Sequence, residues 1–338
     1  MNNIDHQQNM SALYCFPEKN TSCTKEVRKG PAYIIMYIFL SSISMCTVFL
    51  NLLVIISISH FKQLHTPTNL IILSLAVADL LVGLIVMPVT ILQMMDSCWY
   101  LGELACCFFL VTDSILMSAS LCSLVLIAVD QYLAVCYPLL YPVRVTICNT
   151  SLVILLCWSF VVFYIISCSY FNDHFLPTQV SSRCYGECVM TVKYSWVITD
   201  IVISLLAPCC VILILYSVIF NVARRQSKAV RATKKGSSNK QGAKVSGSSE
   251  TKAAKKLSTI IFIYLACWIP YYLGSLTVTV TLSVVLMLFQ WLVLFSSSVN
   301  PLIYAIFYPW FRKSIRYIVT CRIYLPSSSK MYLFPKHF

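Results

Sequence analysis

Apolar residues gather into seven runs, each long enough for a helix to cross a bilayer, and polar residues are largely confined to the stretches between them. The runs fall at about 32–59, 68–94, 102–136, 148–170, 194–222, 252–277 and 282–307. A helix rises about 1.5 Å per residue, so roughly 20 apolar residues span a hydrocarbon core about 30 Å thick. The last two boundaries are the softest. No charge marks the stretch from Leu273 to Phe289, and only Gly274 with the nearby Ser and Thr residues signals a break. Continuous runs of this length predict helices rather than the short alternating strands of a barrel. The predicted fold is an all-α membrane protein, a seven-transmembrane helix bundle. In the tail, residues 308–338, Trp310, Phe311, Ile315 and Ile318 oppose Arg312, Lys313 and Arg316, which predicts a short amphipathic helix after the seventh span.

Composition supports the membrane class: 59% of the 338 residues are hydrophobic and only 11% charged, too little polar surface for a water-soluble domain. Residues 1–31 are mostly polar, so no cleavable signal peptide is expected and the first apolar run itself targets the membrane. They carry glycosylation sequons at Asn9 and Asn20. A third sequon, at Asn149, falls on the opposite side and reads as a chance match.

The net charge of +13 is unevenly distributed. Basic residues crowd the connection 223–251, from Arg224 to Lys244, and return after the seventh span at Arg312, Lys313, Arg316 and Arg322. Positive charge marks the cytoplasmic face, which puts the N-terminus outside. In so apolar a protein these residues suit lipid headgroups and an acidic cytosolic partner, not nucleic acid. The same connection is rich in Ser, Gly and Lys and is expected to be disordered. There is no Gly-rich phosphate loop, no His-x-x-x-His pair and no Cys-x-x-Cys, so an enzyme is not expected. A transporter or channel would show internal repeats and several facing charges, and neither is evident. A signalling receptor is the better reading.

Four acids lie in or at the edge of the apolar runs: Asp79, Asp113, Asp130 and Asp200. An ionisable side chain at membrane depth is costly and points to function. Asp113 and Asp130 share the third run, roughly 25 Å apart along one helix.

Seven motifs, one per run, resemble the rhodopsin-like G protein-coupled receptors: Asn51, the Leu75–Asp79 segment, Asp130-Gln131-Tyr132, Trp158, Pro208 with Tyr216, Cys267-Trp268-Ile269-Pro270, and Asn300-Pro301 running to Tyr304. Ser59 to Asn69, Ser297 to Pro301, Tyr308 to Phe311 and Cys98-Trp99-Tyr100 are similar to the trace amine-associated receptors, among them the diamine- and polyamine-sensing olfactory members. Ser296 departs from that pattern, where most members have Asn.

This resemblance implies a plasma-membrane receptor of olfactory sensory neurons for a small amine. Its partners would be a stimulatory, olfactory-type G protein that raises cAMP, together with arrestin and a receptor kinase. Asp113 takes the place of the carboxylate that binds a ligand's ammonium. Asp200, eight residues before Pro208, stands where common aminergic receptors have Ser or Thr. Two facing acids suit a diamine or polyamine, whose two cations remove the repulsion between them. The other reading is a monoamine receptor in which Asp200 is structural, paired with Lys193 or Arg183. Met117, Trp268, Tyr271, Tyr272 and Trp291 would line the rest, giving aromatic faces for cation–π contact. Leu294 replaces a tyrosine that usually bonds the acid at Asp113.

Asp79, Asn300, Ser296 and Ser297 would form a sodium and water site, or else a hydrogen-bonded structural pair; no other metal or cofactor is expected. Asp130, Gln131, Tyr132, Glu250, Tyr216, Asn300, Pro301 and Tyr304 would form the coupling switch, with Gln131 in place of the usual Arg. Disulfides Cys106–Cys188 and Cys15–Cys184 are implied, with Cys23 competing for Cys15's place and Cys98 and Cys107 free. Cys321, after the amphipathic helix, is a palmitoylation candidate.

Overall fold

The computed structural model describes residues 14–25, 30–171, 184–188, 194–236, 262–274, 283–325 and 328–330. The spans are α1 (Pro31–His60), α2 (Pro67–Met95), α3 (Gly102–Cys136), α4 (Ile147–Phe171), α5 (Tyr194–Asp200, Ile201–Leu206 and Ala207–Gly236 in continuous succession), α6 (Phe262–Gly274) and α7 (Ser283–Phe307). The amphipathic helix is α8 (Pro309–Val319). Six helices are long and apolar enough to cross a membrane, and α6 is a shorter apolar helix.

Prolines place most of the irregularities. Pro31, Pro67 and Pro309 open helices, where a missing N–H costs nothing. Thr66 caps α2, its Oγ1 accepting from Asn69 N at 3.3 Å. Inside α2 and α5 the helix widens to π-turns at Val82–Val86 and Ile201–Leu206, just before Pro88 and Pro208. A proline ring clashes with the carbonyl four residues earlier, and a widened turn relieves the clash. The α5 π-turn begins directly after Asp200.

The core lies between α2, α3, α6 and α7, where Leu75, Met87, Leu124 and Tyr304 are almost completely enclosed. The outward faces of α1, α4 and α5 carry exposed Ile, Leu and Phe, as a lipid-facing surface requires. Close approach of α1 to α2 depends on Gly83: an added Cβ would sit 3.0 Å from Val48 Cγ2 and 3.2 Å from Thr47. Its carbonyl accepts from Ser44 Oγ at 2.9 Å. On α8, Trp310, Phe311 and Ser314 are buried while Arg312, Lys313 and Arg316 stay exposed. Arg312 Nη1 donates to the carbonyls of Ala305 and Ile306 (3.2 and 2.7 Å), which the end of α7 would otherwise leave without partners.

The structure corrects the expectation of disorder from residue 223. Helix α5 continues to Gly236, because Ala, Arg, Gln and Lys in this stretch favour helix and glycine ends it. Residues 237–251 lie outside the described residues, as do 252–261 and 275–277 of the expected sixth span.

Candidate functional site

At the N-terminal end of the bundle, three chain segments are joined into a cap. Residues 14–24 fold back on themselves, with Cys15 N donating to Cys23 O at 2.9 Å. Cys23 N donates to Tyr185 O (2.9 Å), Tyr185 N to Thr21 O (2.7 Å), and Trp99 N to Gly186 O (2.7 Å). Gly186 has φ +103°, and a Cβ there would meet Phe16 at 3.0 Å and Cys15 at 3.1 Å, so only glycine fits under the fold-back.

This register decides the disulfides. Cys106 pairs with Cys188. The implied Cys15–Cys184 bridge is wrong: Cys23 pairs with Cys184, and Cys15 with Cys98. Cys23 runs beside Tyr185 and so meets its neighbour Cys184, while Cys15 faces the α2–α3 connection. Cys98 is therefore not free, whereas Cys107 is. Lys25 adds an ionic tie, with Nζ 3.2 Å from the Tyr100 hydroxyl and 3.5 Å from Asp96 Oδ2. The bond to Tyr100, with the nearby Asp96 charge, holds the Lys25 ammonium pKa above its ordinary value. Asn20 is exposed on this fold-back; Asn9 lies outside the described residues.

Below the cap, α3, α4, α5, α6 and α7 enclose a cavity of about 310 Å³. Asp113, Asp200, Met117, Trp268, Tyr271 and Tyr272 all line it. Trp291 does not: its Nε1 points to Met94 Sδ on α2, and Gln290 takes the cavity-facing position. One residue along a helix turns the side chain by about 100°, which sequence spacing alone did not resolve here. Tyr164 and Ser204 also line the cavity and were not expected. No motif marks them; each is one more hydroxyl in an apolar run.

The two carboxylates have different surroundings. Asp113 Oδ1 is sealed from solvent and has no hydrogen-bond partner among the described residues. Leu294, at the position of the missing tyrosine, lines the same cavity and offers no hydroxyl. Asp200 accepts from Ser204 Oγ at 2.7 Å on Oδ1 and from the Tyr272 hydroxyl at 3.5 Å on Oδ2. Neither acid pairs with a cation among the described residues. Lys193 and Arg183, the alternative partners of Asp200, lie outside them. A buried carboxylate without a cation calls for one.

Deeper in the bundle, Asp79 is fully enclosed, accepting from Asn300 Nδ2 (2.8 Å) and Ser120 Oγ (3.1 Å); Ser297 is buried, its carbonyl accepting from Asn51 Nδ2 at 3.2 Å. Ser296 is not part of this group: its hydroxyl turns back to Val293 O at 2.6 Å. Ser120, from α3, takes the place that sequence reasoning gave to Ser296.

At the opposite end, Asp130 is held by neutral donors. Thr68 Oγ1 and Tyr141 OH each donate to it at 2.7 Å, and Gln131 Nε2 at 3.3 Å. Tyr132 packs edge-on to Tyr137 with ring centroids 5.9 Å apart. The hydroxyls of Tyr216 and Tyr304 are buried without a hydrogen-bond partner among the described residues, and Pro301 is buried within α7. Glu250 lies outside the described residues. Cys321 is exposed just beyond α8, at φ 55°.

Comparison with known proteins agrees with this architecture. The family described as 7 transmembrane receptor (rhodopsin family) matches residues 50–304. Trace amine-associated receptor 13c from Danio rerio is 38% identical over 338 residues, covering 98% of this chain and 99% of that protein. Trace amine-associated receptor 6 from Homo sapiens is 38% identical over 333 residues, 96% of each chain. Trace amine-associated receptor 4 from Rattus norvegicus is 34% identical over the full length of both.

Proposed function

Because this chain belongs to the trace amine-associated receptors of the rhodopsin family, and is thus a multi-pass plasma-membrane amine receptor acting through a G protein rather than an enzyme, we propose that its ligand is a diamine or polyamine held between Asp113 and Asp200. The observation that carries this reading is that both carboxylates line one cavity without a cation among the described residues. A carboxylate and an ammonium in contact gain about 4 kcal/mol at an effective dielectric near 20. A ligand with two ammonium ends makes that gain twice and cancels the repulsion between the acids. The walls between them, Met117 and Leu121 with the rings of Tyr271 and Trp268, suit a methylene chain.

In this reading the N-terminus and the disulfide cap face outward, with a glycan on Asn20 and another on Asn9. The basic end of the bundle meets a stimulatory, olfactory-type G protein that raises cAMP in sensory neurons, and Cys321 carries a palmitoyl anchor. The hydrogen bonds from Ser204 and Tyr272 to Asp200 favour a second reading, a monoamine receptor with a structural Asp200. A cAMP dose–response on cells expressing the receptor separates the two. Putrescine, cadaverine or spermine should act at concentrations at least about tenfold below the matched monoamine, one charge contact being worth 1.4 kcal/mol or more. Equal or better potency of the monoamines would favour the second reading.

The oxygen set around Asp79 fits a sodium ion: one enclosed carboxylate with no cation among the described residues, and the Ser120 hydroxyl bonded to it. Bound there, the ion would act as an allosteric modulator, favouring the resting arrangement of α2, α3 and α7. Raising sodium at constant ionic strength is then expected to lower agonist affinity several-fold, and Asp79→Asn to remove the effect. Agonist binding that ignores sodium in the native protein would refute the site.

A further inference from the structure

The cavity has a second kind of wall. Besides the two carboxylates and the apolar side chains that suit a methylene chain, three serines line it: Ser114 and Ser118 on α3, and Ser169 on α4. Ser114 and Ser118 are four apart and share one face of α3, turned about 100° from the neighbouring stripe of Asp113 and Met117. Two ammonium ends and a hydrocarbon link would leave these hydroxyls without a use, and polar groups facing a dry ligand are costly.

Two of the three have already committed their hydrogen. Ser114 Oγ donates to Leu110 O at 2.9 Å, and Ser169 Oγ to Ile165 O at 2.8 Å, each one turn back on its own helix. A hydroxyl has one donor and two lone pairs, so what Ser114 and Ser169 have left to offer is acceptance. Ser123 and Thr90 bond back to their helices in the same way, but away from the cavity, where no ligand meets them. Ser114 and Ser169 instead line the space that holds both acids. Their oxygens suit a ligand group with an N–H to give, and a methylene gives them nothing.

We propose that Ser114, Ser118 and Ser169 form a third, uncharged subsite for the inner nitrogen of a linear triamine whose end ammoniums are held by Asp113 and Asp200. This rests on the two-carboxylate reading above and narrows it to chains with an N–H group between their ends. The inner nitrogen needs no third carboxylate. Flanked by two ammonium groups, it gives up its proton more easily than either end. Charged or neutral, it keeps an N–H for a serine oxygen, and the ring faces of Trp268 and Tyr271 in the same cavity favour any charge it retains.

Spermidine and 1,8-diaminooctane test this, since both place eight chain atoms between terminal amines and differ by one N–H for one methylene. On the full-length receptor in lipid nanodiscs, spermidine is expected to bind about tenfold or more tightly, the worth of one hydrogen bond involving a charged group. Burial alone gives the opposite order, because the all-carbon chain costs less to take out of water. The double variant Ser114→Ala, Ser169→Ala is expected to shrink the ratio about fivefold or more by losing spermidine affinity, with diaminooctane within about twofold of native. Equal or tighter binding of diaminooctane to the native receptor overturns the inference. So does an unchanged ratio in the double variant, or parallel loss of both ligands; the native ratio decides the matter should that variant fail to fold. The two-carboxylate reading fails separately, if neither probe binds or if both bind Asp200→Ala as they bind the native protein.

Discussion

Replacing Asp200 by alanine is expected to weaken the cadaverine response by roughly thirtyfold to several thousandfold, while the response to pentylamine stays within about threefold of native. Losing one member of a desolvated, hydrogen-bonded charge pair costs about 2–5 kcal/mol, and each 1.4 kcal/mol is tenfold. The monoamine has only one cation, which goes to Asp113, the carboxylate with an oxygen that no described group holds. Asp113→Ala should therefore abolish both responses. Asp200→Asn refines the comparison: it keeps a carbonyl oxygen for Ser204 and Tyr272 but not the charge, so it should resemble the alanine variant towards cadaverine. The measurements are cAMP dose–response curves at matched surface expression. Unchanged diamine potency in Asp200→Ala would mean that Asp200 serves the protein's own hydrogen bonding and does not touch the ligand.

The features that make this prediction possible differ in how visible they are in the sequence. Six of the seven expected cavity residues line the cavity, because an acid or aromatic at membrane depth needs a reason to be there and the helical spacing to Pro208 and Pro270 fixes its level. The exception, Trp291, is wrong by rotation and not by level, and rotation depends on what α2 offers at Met94. Ser204 and Tyr164 were invisible for the opposite reason: a single hydroxyl in an apolar run carries no pattern until a neighbouring carboxylate is placed beside it. The disulfides show the same limit. Four cysteines outside the core allow several pairings, and only the fold-back of residues 14–24 against Tyr185 selects Cys23 for Cys184 and leaves Cys15 for Cys98. Ser296 turns its hydroxyl back to its own helix, and the serine that bonds Asp79 is Ser120 from α3, which no spacing along the seventh run reveals. The extension of α5 to Gly236 follows from helix propensity over 223–236, which composition averaged across the whole basic connection concealed.

Gln131→Arg is expected to lower basal cAMP by about two- to fivefold at equal surface expression, without lowering the maximal agonist response. In the native chain Asp130 is held only by neutral donors: the hydroxyls of Thr68 and Tyr141 at 2.7 Å and the Gln131 amide at 3.3 Å. Hydrogen bonds to a charged acceptor contribute about 1.5–3 kcal/mol each, so Asp130 is well satisfied, but its charge is not neutralised. None of these bonds spans from α3 to α6, so none of them ties the two helices together. A guanidinium at position 131 would add a charge-assisted, two-pronged contact to Asp130. It would also place a cation at the inner mouth, and the resemblance to rhodopsin-like receptors implies Glu250 as its resting partner. Both contacts favour the resting arrangement, and a partly exposed pair of this kind is worth roughly 0.5–1 kcal/mol, hence the modest factor. The agonist-bound maximum is expected to be preserved because the resemblance implies that the same guanidinium meets the G protein in the active state. Basal cAMP indistinguishable between native and Gln131→Arg receptors would show that the hydroxyls of Thr68 and Tyr141 already hold the resting state, and that the missing arginine costs this receptor no restraint.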